Sequence, residues 1–537
     1  MSDTAPRRPL GVQISHMLKA RGVDVIFGIP GVHNIELYRG LEEAGITHVL
    51  PRHEQGAGFM ADGYARATGR PGMAYVITGP GLCNIMTPLG QAWSDSVPLL
   101  VISSCLERKD RHMGRGRLHE MRDQEGAAAC VCDWSVTAPD AAGAYRLIDR
   151  AIAQFTAERP RPKHIQVPID VLGGLAEAPP PAPLVPGLAQ ARPEDVAAAA
   201  EWLCGARRPM FVFGGGARAG FEAARRLLAA TQAASFTTYA GRGIPAPDDP
   251  LHYGATLARP ESAAEIARAD LVICIGTALS EVDLWRDELG NTAPMIRVDI
   301  DTEVLADDHP ADLAIQGDAA AFLLDLDELV ALFPSESDWK ADEVAAARRR
   351  FRAQTDSERP GIVPLVAAMQ AVLPPDTMYF SDMTQFAYAA KEVATLPRPG
   401  LWHHPYGFGT LGYALPAAIG GKIGRPDAPV VAIAGDYGFH YTMQELGVAV
   451  ELGLSLPIIL WDNGKLGEIE DSMCRAQIAP NAVVARNPDF CALARAFGAK
   501  AAEPASVAEF QAALVAALDA AGPTLIRVTP GLATSSN

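Results

Sequence analysis

The sequence predicts an α/β protein made of three doubly wound α/β domains with mostly parallel sheets. Short apolar, β-branched runs recur along the chain, and turn residues followed by helically spaced segments separate them, which is the alternation that crossover helices on a parallel sheet require. The length of 537 residues accommodates three such units. We place them at 1–185, 190–335 and 360–537, with the Pro-rich tract 178–183 as a stiff extended linker after the first.

The first domain is read from strands at 23–29, 73–78, 99–103 and 164–167. The first of them runs into Gly28-Ile29-Pro30-Gly31-Val32-His33-Asn34, a turn by its glycines and proline. After a second strand comes RHEQGAGFMADGYAR, in which Gly56, Phe59, Met60 and Gly63, with Ala67 beyond it, share one helix face. Small residues there let a neighbouring helix approach closely. Glu54 stands at the start of that helix, where a carboxylate also suits the helix dipole. The second domain is read from strands at 210–213, 271–275 and 295–299. Its Gly214-Gly215-Gly216 lacks the full Gly-x-Gly-x-x-Gly context and reads as a tight turn. A charged helix around 340–352 bridges to the third domain. There a strand at 378–381 precedes Asp382-Met383-Thr384-Gln385, and the glycine-rich 407–412 leads into a helix at 415–423.

The stretch 430–473 then reads strand, turn, helix, strand, loop. A buried strand at 430–434 delivers Gly435-Asp436, a helix covers 439–454, and a strand at 456–461 delivers Asp462-Asn463-Gly464 to the same sheet edge. Ligands of open α/β sheets sit at such edges. A carboxylate and an amide oxygen beside helix-start N–H groups suit Mg2+ carrying a diphosphate, although both residues are also ordinary turn formers.

Composition narrows the function classes. With 49% hydrophobic and 20% charged residues the chain has a globular composition. A net charge of -17 argues against nucleic acid as a partner. No apolar run reaches the ~18 residues of a membrane span, and MSDTAPRRPLGVQ has no apolar signal core, so a cytoplasmic protein without a membrane partner is expected. Of the eight cysteines only Cys130 and Cys132 lie close together, without a second pair or His cluster, which points to reduced structural thiols.

Two stretches carry a resemblance. The 430–473 segment resembles the metal-diphosphate motif of thiamine diphosphate (ThDP) enzymes, the superfamily of acetolactate synthase and the 2-oxo acid decarboxylases, in which Gly-Asp-Gly is followed by Asn-Asn. Tyr437 and Asp462 depart from that pattern. RHEQGAGFMADGYAR resembles the activating-glutamate motif of the same superfamily, followed by Thr78-Gly79-Pro80-Gly81 and Asn84. Gly407 to Gly412 is similar to its Gly-x-Met-Gly turn. The resemblance implies pyrimidine-binding, central and diphosphate-binding domains in this order. It implies Mg2+ on Asp436, Asn463 and the Lys465 carbonyl, with Gln385, Tyr437 and Gly438 also at the diphosphate. Glu54 would share a proton with the pyrimidine N1', with Thr78 and Asn84 nearby. The Gly409 carbonyl would accept from the 4'-amino group, and Leu411 would bend the cofactor into its V shape.

The same resemblance implies at least a homodimer, with a tetramer as the common larger assembly, because the two cofactor domains usually come from different subunits. FAD is not expected, since no arginine-bearing flavin segment is recognisable near 276–279. The implied activity is decarboxylation of a small-molecule 2-oxo acid. An acetolactate synthase-like carboligase is the alternative, and a non-enzymatic nucleotide-binding protein is disfavoured by the presence of Glu54. Val32, His33, Glu468 and Asp471 are the substrate-pocket candidates, and His119 is a candidate proton donor. Glu468 and Asp471 are three residues apart and share a helix face that could meet a guanidinium. The whole chain also resembles bacterial ThDP proteins assigned to ketoarginine decarboxylation. The expected reaction is therefore 5-guanidino-2-oxopentanoate to 4-guanidinobutanal and CO2.

Overall fold

The computed structural model describes residues 6–332 and 336–534, so the expected domain limits at 1, 335 and 537 lie outside the described residues. The chain forms three six-stranded sheets, and every ladder in them is parallel. The first runs, in space, Thr47–Val49, Val25–Gly28, Gly72–Val76, Leu99–Cys105, Lys163–Pro168, Trp134–Thr137. The third runs Trp402–His403, Met378–Ser381, Val430–Gly435, Pro457–Trp461, Thr524–Val528, Lys500–Ala502. Both have one winding, with the second strand outside the first and the sixth inside the fifth. The strand order of each reverses between its first and third strands, and the crevice beyond those carboxyl ends is where such sheets take ligands. Residues 28–34 and 78–84 open there in the first sheet, and Asp382 and Asp436 in the third.

The central sheet has a different winding: His252–Gly254, Ala234–Thr237, Pro209–Phe213, Leu271–Ile275, Met295–Asp299, Leu313–Gln316. At its reversal the glycines meet each other. A Cβ on Gly214 would lie 2.2 Å from the Gly276 carbonyl oxygen, and the Gly216 N–H donates to that carbonyl at 3.0 Å. The Gly214-Gly215-Gly216 turn thus uses its missing side chains for turn-on-turn packing.

Edge strands such as Leu313–Gln316 and Lys500–Ala502 are short and partly exposed, and their apolar runs are too brief to mark them as strands in the sequence. The helix expected over 439–454 is broken into Asp436–Thr442, a single 3-10 turn Met443–Glu445, and Leu446–Glu451. The break falls where two long-range bonds compete with the helix. The Thr442 hydroxyl donates to the Gly412 carbonyl at 2.9 Å, and the Glu445 carboxylate turns back to accept from the Arg52 N–H at 3.0 and 3.1 Å.

The first and third sheets are joined through the small-residue face. Helix Glu54–Thr68 packs on helix Ala414–Gly424 so closely that a Cβ on Gly63 would lie 1.9 Å from the Ala417 carbonyl oxygen, and one on Gly420 1.9 Å from that of Met60. One apolar core continues across this contact, whereas the central sheet has clusters of its own. Because the obstacle is backbone, Gly63→Val must push the helices apart. We expect a loss at the top of the ~1–3 kcal/mol range for overpacking, or more. An unchanged urea midpoint would show that the close approach contributes nothing. No helix among the described residues is long and apolar enough to cross a membrane.

Candidate active site

Strand Val430–Gly435 ends by placing Asp436 at the first turn of the following helix, where its carboxylate is 3% exposed. Oδ1 accepts from the Tyr437 N–H at 2.9 Å, and Oδ2 from the Gly464 N–H at 2.8 Å and the Asn487 amide at 2.7 Å. Among the described residues no lysine, arginine or histidine pairs with it, and burial raises its pKa above the ordinary carboxylate value. A buried carboxylate without a cation is a site that calls for one.

The next strand, Pro457–Trp461, brings Asn463 beside it. The Asn463 amide donates to the Gln385 side-chain oxygen at 3.1 Å, which fixes its own oxygen as the acceptor, facing the Lys465 N–H at 3.2 Å. The Lys465 carbonyl accepts no hydrogen bond from any described residue. A carboxylate, an amide oxygen and an open carbonyl are hard oxygen donors, the kind that magnesium takes. No group of three or more His, Cys, Asp or Glu ligands occurs among the described residues.

Asp382 ties this set to the glycine-rich turn. It is fully buried, its Oδ1 accepts from the Met383 N–H, and its Oδ2 accepts from the Gly412 N–H at 2.9 Å. A side chain on Gly438 would strike that same oxygen at 2.4 Å, so Gly438 lets the two turns approach. Burial pushes the Asp382 carboxyl up to about 6. Gly409 has φ +66° and Gly412 φ +86°, left-handed values that glycine adopts freely, and half-buried Leu411 projects between them.

Glu54 heads its helix behind an N-cap made by the His53 side chain, which accepts from the Gln55 N–H at 3.1 Å. Its carboxylate is 8% exposed, with Oε2 accepting from the Asn84 amide at 2.9 Å. A Cβ on Gly81 would lie 3.2 Å from Oε1, so the turn at 78–81 must be bare there. The half-buried rings of His33 and His119 meet edge to face at 4.9 Å, each with an unpartnered buried Nδ1. Burial and the neighbouring His119 lower the pKa of His33. Gly79, at φ +71°, lets the His119 carbonyl close over the turn.

Two sets therefore form: Glu54 and Asn84, with the His33/His119 pair, on the first sheet, and Asp436, Asn463, Gln385 and Leu411 on the third. Among the described residues no hydrogen bond, ion pair or ring contact joins them. Thr78, expected at the cofactor, is 1% exposed, and its hydroxyl is engaged with the Ser104 hydroxyl at 2.8 Å, so its side chain anchors the turn. Glu468, expected free for substrate, is held by Arg359 through two bonds of 2.9 Å, with the Arg359 guanidinium 5.4 Å from the centre of the Tyr388 ring. Asp471 is exposed and makes no hydrogen bond to a described residue. Val32 stands 65% exposed at the mouth of the first turn.

Sequence reading missed the groups that explain the departures. Asp462 is ion-paired with Arg527 at 2.7 Å and bonded by Asn487 at 2.8 Å, so it braces the loop that carries Asn463. Glu445, fully buried and pushed up to about 7 by burial, seats the Glu54 helix through the Arg52 N–H. Asn487 and Arg527 lie in a loop and at a strand end with no motif around them.

Comparison with known proteins agrees with this geometry. Three family descriptions match in order: thiamine pyrophosphate enzyme, N-terminal TPP binding domain, at 9–127; central domain, at 196–326; and C-terminal TPP binding domain, at 382–528. "Probable 2-ketoarginine decarboxylase AruI" of Pseudomonas aeruginosa is 44% identical over 528 residues, covering 96% of this chain and 93% of that protein. The "acetolactate synthase isozyme 2 large subunit" of Escherichia coli is 30% identical over 96% of this chain and 94% of its own length. An acetolactate synthase of Mycobacterium bovis is 30% identical over 90% and 81%. Matched along most of its length and carrying both half-sites, the chain belongs to the thiamine pyrophosphate enzyme family.

Proposed function

We propose that the protein decarboxylates 5-guanidino-2-oxopentanoate to 4-guanidinobutanal and CO2, with thiamine diphosphate held through Mg2+ on Asp436, Asn463 and the Lys465 carbonyl. The observation that carries the substrate reading is Glu468, which opens the helix after the metal loop and already grips a guanidinium with both oxygens. The name of the Pseudomonas relative supports the same substrate.

Bound ThDP supplies the electron sink that lets a 2-oxo acid lose CO2. The residues of the chain position and protonate. Glu54, oriented by Asn84, holds the proton shared with the pyrimidine ring. Leu411, set by the bond of Asp382 to its turn, would pack against the cofactor. His119, packed against a His33 that burial favours as neutral, would donate a proton before product release.

Among the described residues no bond or ring contact joins the two half-sites, and Val32 and Phe408 are exposed apolar residues on the loops around them. We read this as a homodimer whose active sites pair the first domain of one chain with the third of the other, with a tetramer as the larger assembly. The turn-on-turn packing at Gly214 and Gly276 supports a central domain without FAD. All eight cysteines are free, which supports a reducing, cytoplasmic setting.

The substrate tail has to compete with Arg359 for Glu468. A charge-assisted bond is worth roughly 1.5–3 kcal/mol, so Glu468→Gln should lower the preference for this keto acid over 2-oxohexanoate by ~10- to 150-fold in kcat/KM. A preference that survives the substitution would move recognition of the tail elsewhere. Acetolactate formed from pyruvate as the main product would favour the carboligase reading suggested by the synthase relatives.

A further inference from the structure

Away from both half-sites, a cavity of about 400 Å3 lies between the central and third domains. It is bounded by the carboxyl ends of strands Ala234–Thr237 and His252–Gly254, by helix Ala341–Glu358 and by the segment from Glu392 to Leu396. This is a ligand-sized volume. It is on the first two strands of the sheet, not at the Gly214/Gly276 reversal between the third and fourth.

Its charge is one-sided. Arg348, Arg349 and Arg352 line its mouth, and none forms a hydrogen bond or ion pair with a described residue. Arg350, on another side of the same helix, is paired with Glu261 and Glu265. Farther in, Arg242 is 5% exposed and lies over the Trp402 ring at 4.8 Å. Among the described residues its one hydrogen bond is a long one to the Ala394 carbonyl at 3.3 Å, and its Nη1 has no partner. Beside it Thr237, almost fully buried, keeps an unpartnered hydroxyl. Two acids are near. Glu392 is spent on Arg259, Thr355 and Tyr239, and Asp249 acts on Arg348 only through its field. A buried guanidinium without a carboxylate and a buried hydroxyl without a bond are costly unless a ligand completes them.

We propose that this cavity binds a phosphorylated small molecule, with Arg242 and Thr237 meeting the phosphate oxygens in the interior and Arg348 and Arg352 closing over them. Arginine forks match phosphate geometry. The occupant would also touch the end of helix Gln385–Val393, whose first residue bonds Asn463.

The test is calorimetric titration of inorganic pyrophosphate into enzyme saturated with ThDP and excess Mg2+, so that the cofactor site is already filled. Saturable binding near one equivalent per chain is expected. The double substitution Arg348→Gln/Arg352→Gln, on an exposed helix face, should weaken it by about tenfold or more while ThDP content stays unchanged, as loss of charge-assisted bonds requires. Arg350→Gln, which removes a charge on the same helix away from the cavity, should leave it unchanged. Absence of saturable binding, equal binding by the double variant, or an equal loss in Arg350→Gln would each overturn the proposal.

Discussion

Asp436→Ala is expected to abolish retention of thiamine diphosphate through gel filtration. Asp436 is a buried carboxylate held by three N–H donors and, among the described residues, by no cation, so in the proposed reading its charge is met by the metal. Removing it takes away the only carboxylate of the proposed donor set, since Asp462 is committed to Arg527. Losing a supporting contact around a metal site costs ~10–100-fold in affinity, so loss of a ligand should exceed about 100-fold. Asp436→Asn separates charge from shape, because it keeps an oxygen and the size of the side chain. It should also fail to retain the cofactor. Tight binding by either variant, measured by equilibrium dialysis with Mg2+ varied, would remove Asp436 from the metal site.

Glu54→Gln is expected to keep ThDP bound and to lose at least ~100-fold in kcat, the contribution of a general acid–base group. The glutamine preserves the side-chain length and can still present its oxygen to the Asn84 amide. It cannot share a proton. Retained binding with lost turnover therefore separates proton chemistry from mere occupancy, whereas a role limited to the helix dipole predicts a small change in stability and little in kcat. Exchange of the cofactor C2 proton, followed by NMR, should slow in parallel. Normal exchange in this variant would contradict the assignment.

The places of these two residues were legible in the sequence, because each stands at the carboxyl end of a buried strand or at the start of the helix that follows; position alone also allowed a turn former and a helix-dipole carboxylate, and the proposed roles come from the family resemblance. The face formed by Gly56, Phe59, Met60, Gly63 and Ala67 was legible for a similar reason: the helical period alone groups it, and the contacts of Gly63 and Gly420 with facing backbone give it its purpose. What stayed hidden depends on partners distant in the chain. Arg359 reaches Glu468 across 109 residues, and Asp436 is held by Asn487 from 51 residues on. No local pattern announces either. The hydroxyl of Thr78 turns inward because Ser104 lies on the adjoining strand, a neighbour that only the sheet order supplies. The helix at 439–454 looked continuous because its apolar spacing is continuous. Its break answers to Gly412 and Arg52, both outside the segment.

The central claim is most directly tested by measuring CO2 release from 5-guanidino-2-oxopentanoate by protein stripped of cofactor and then given ThDP and Mg2+ together or singly. Release that requires both additions, with 4-guanidinobutanal formed in equal amount, is the predicted result. No release from this or any other 2-oxo acid with both additions present would contradict the account.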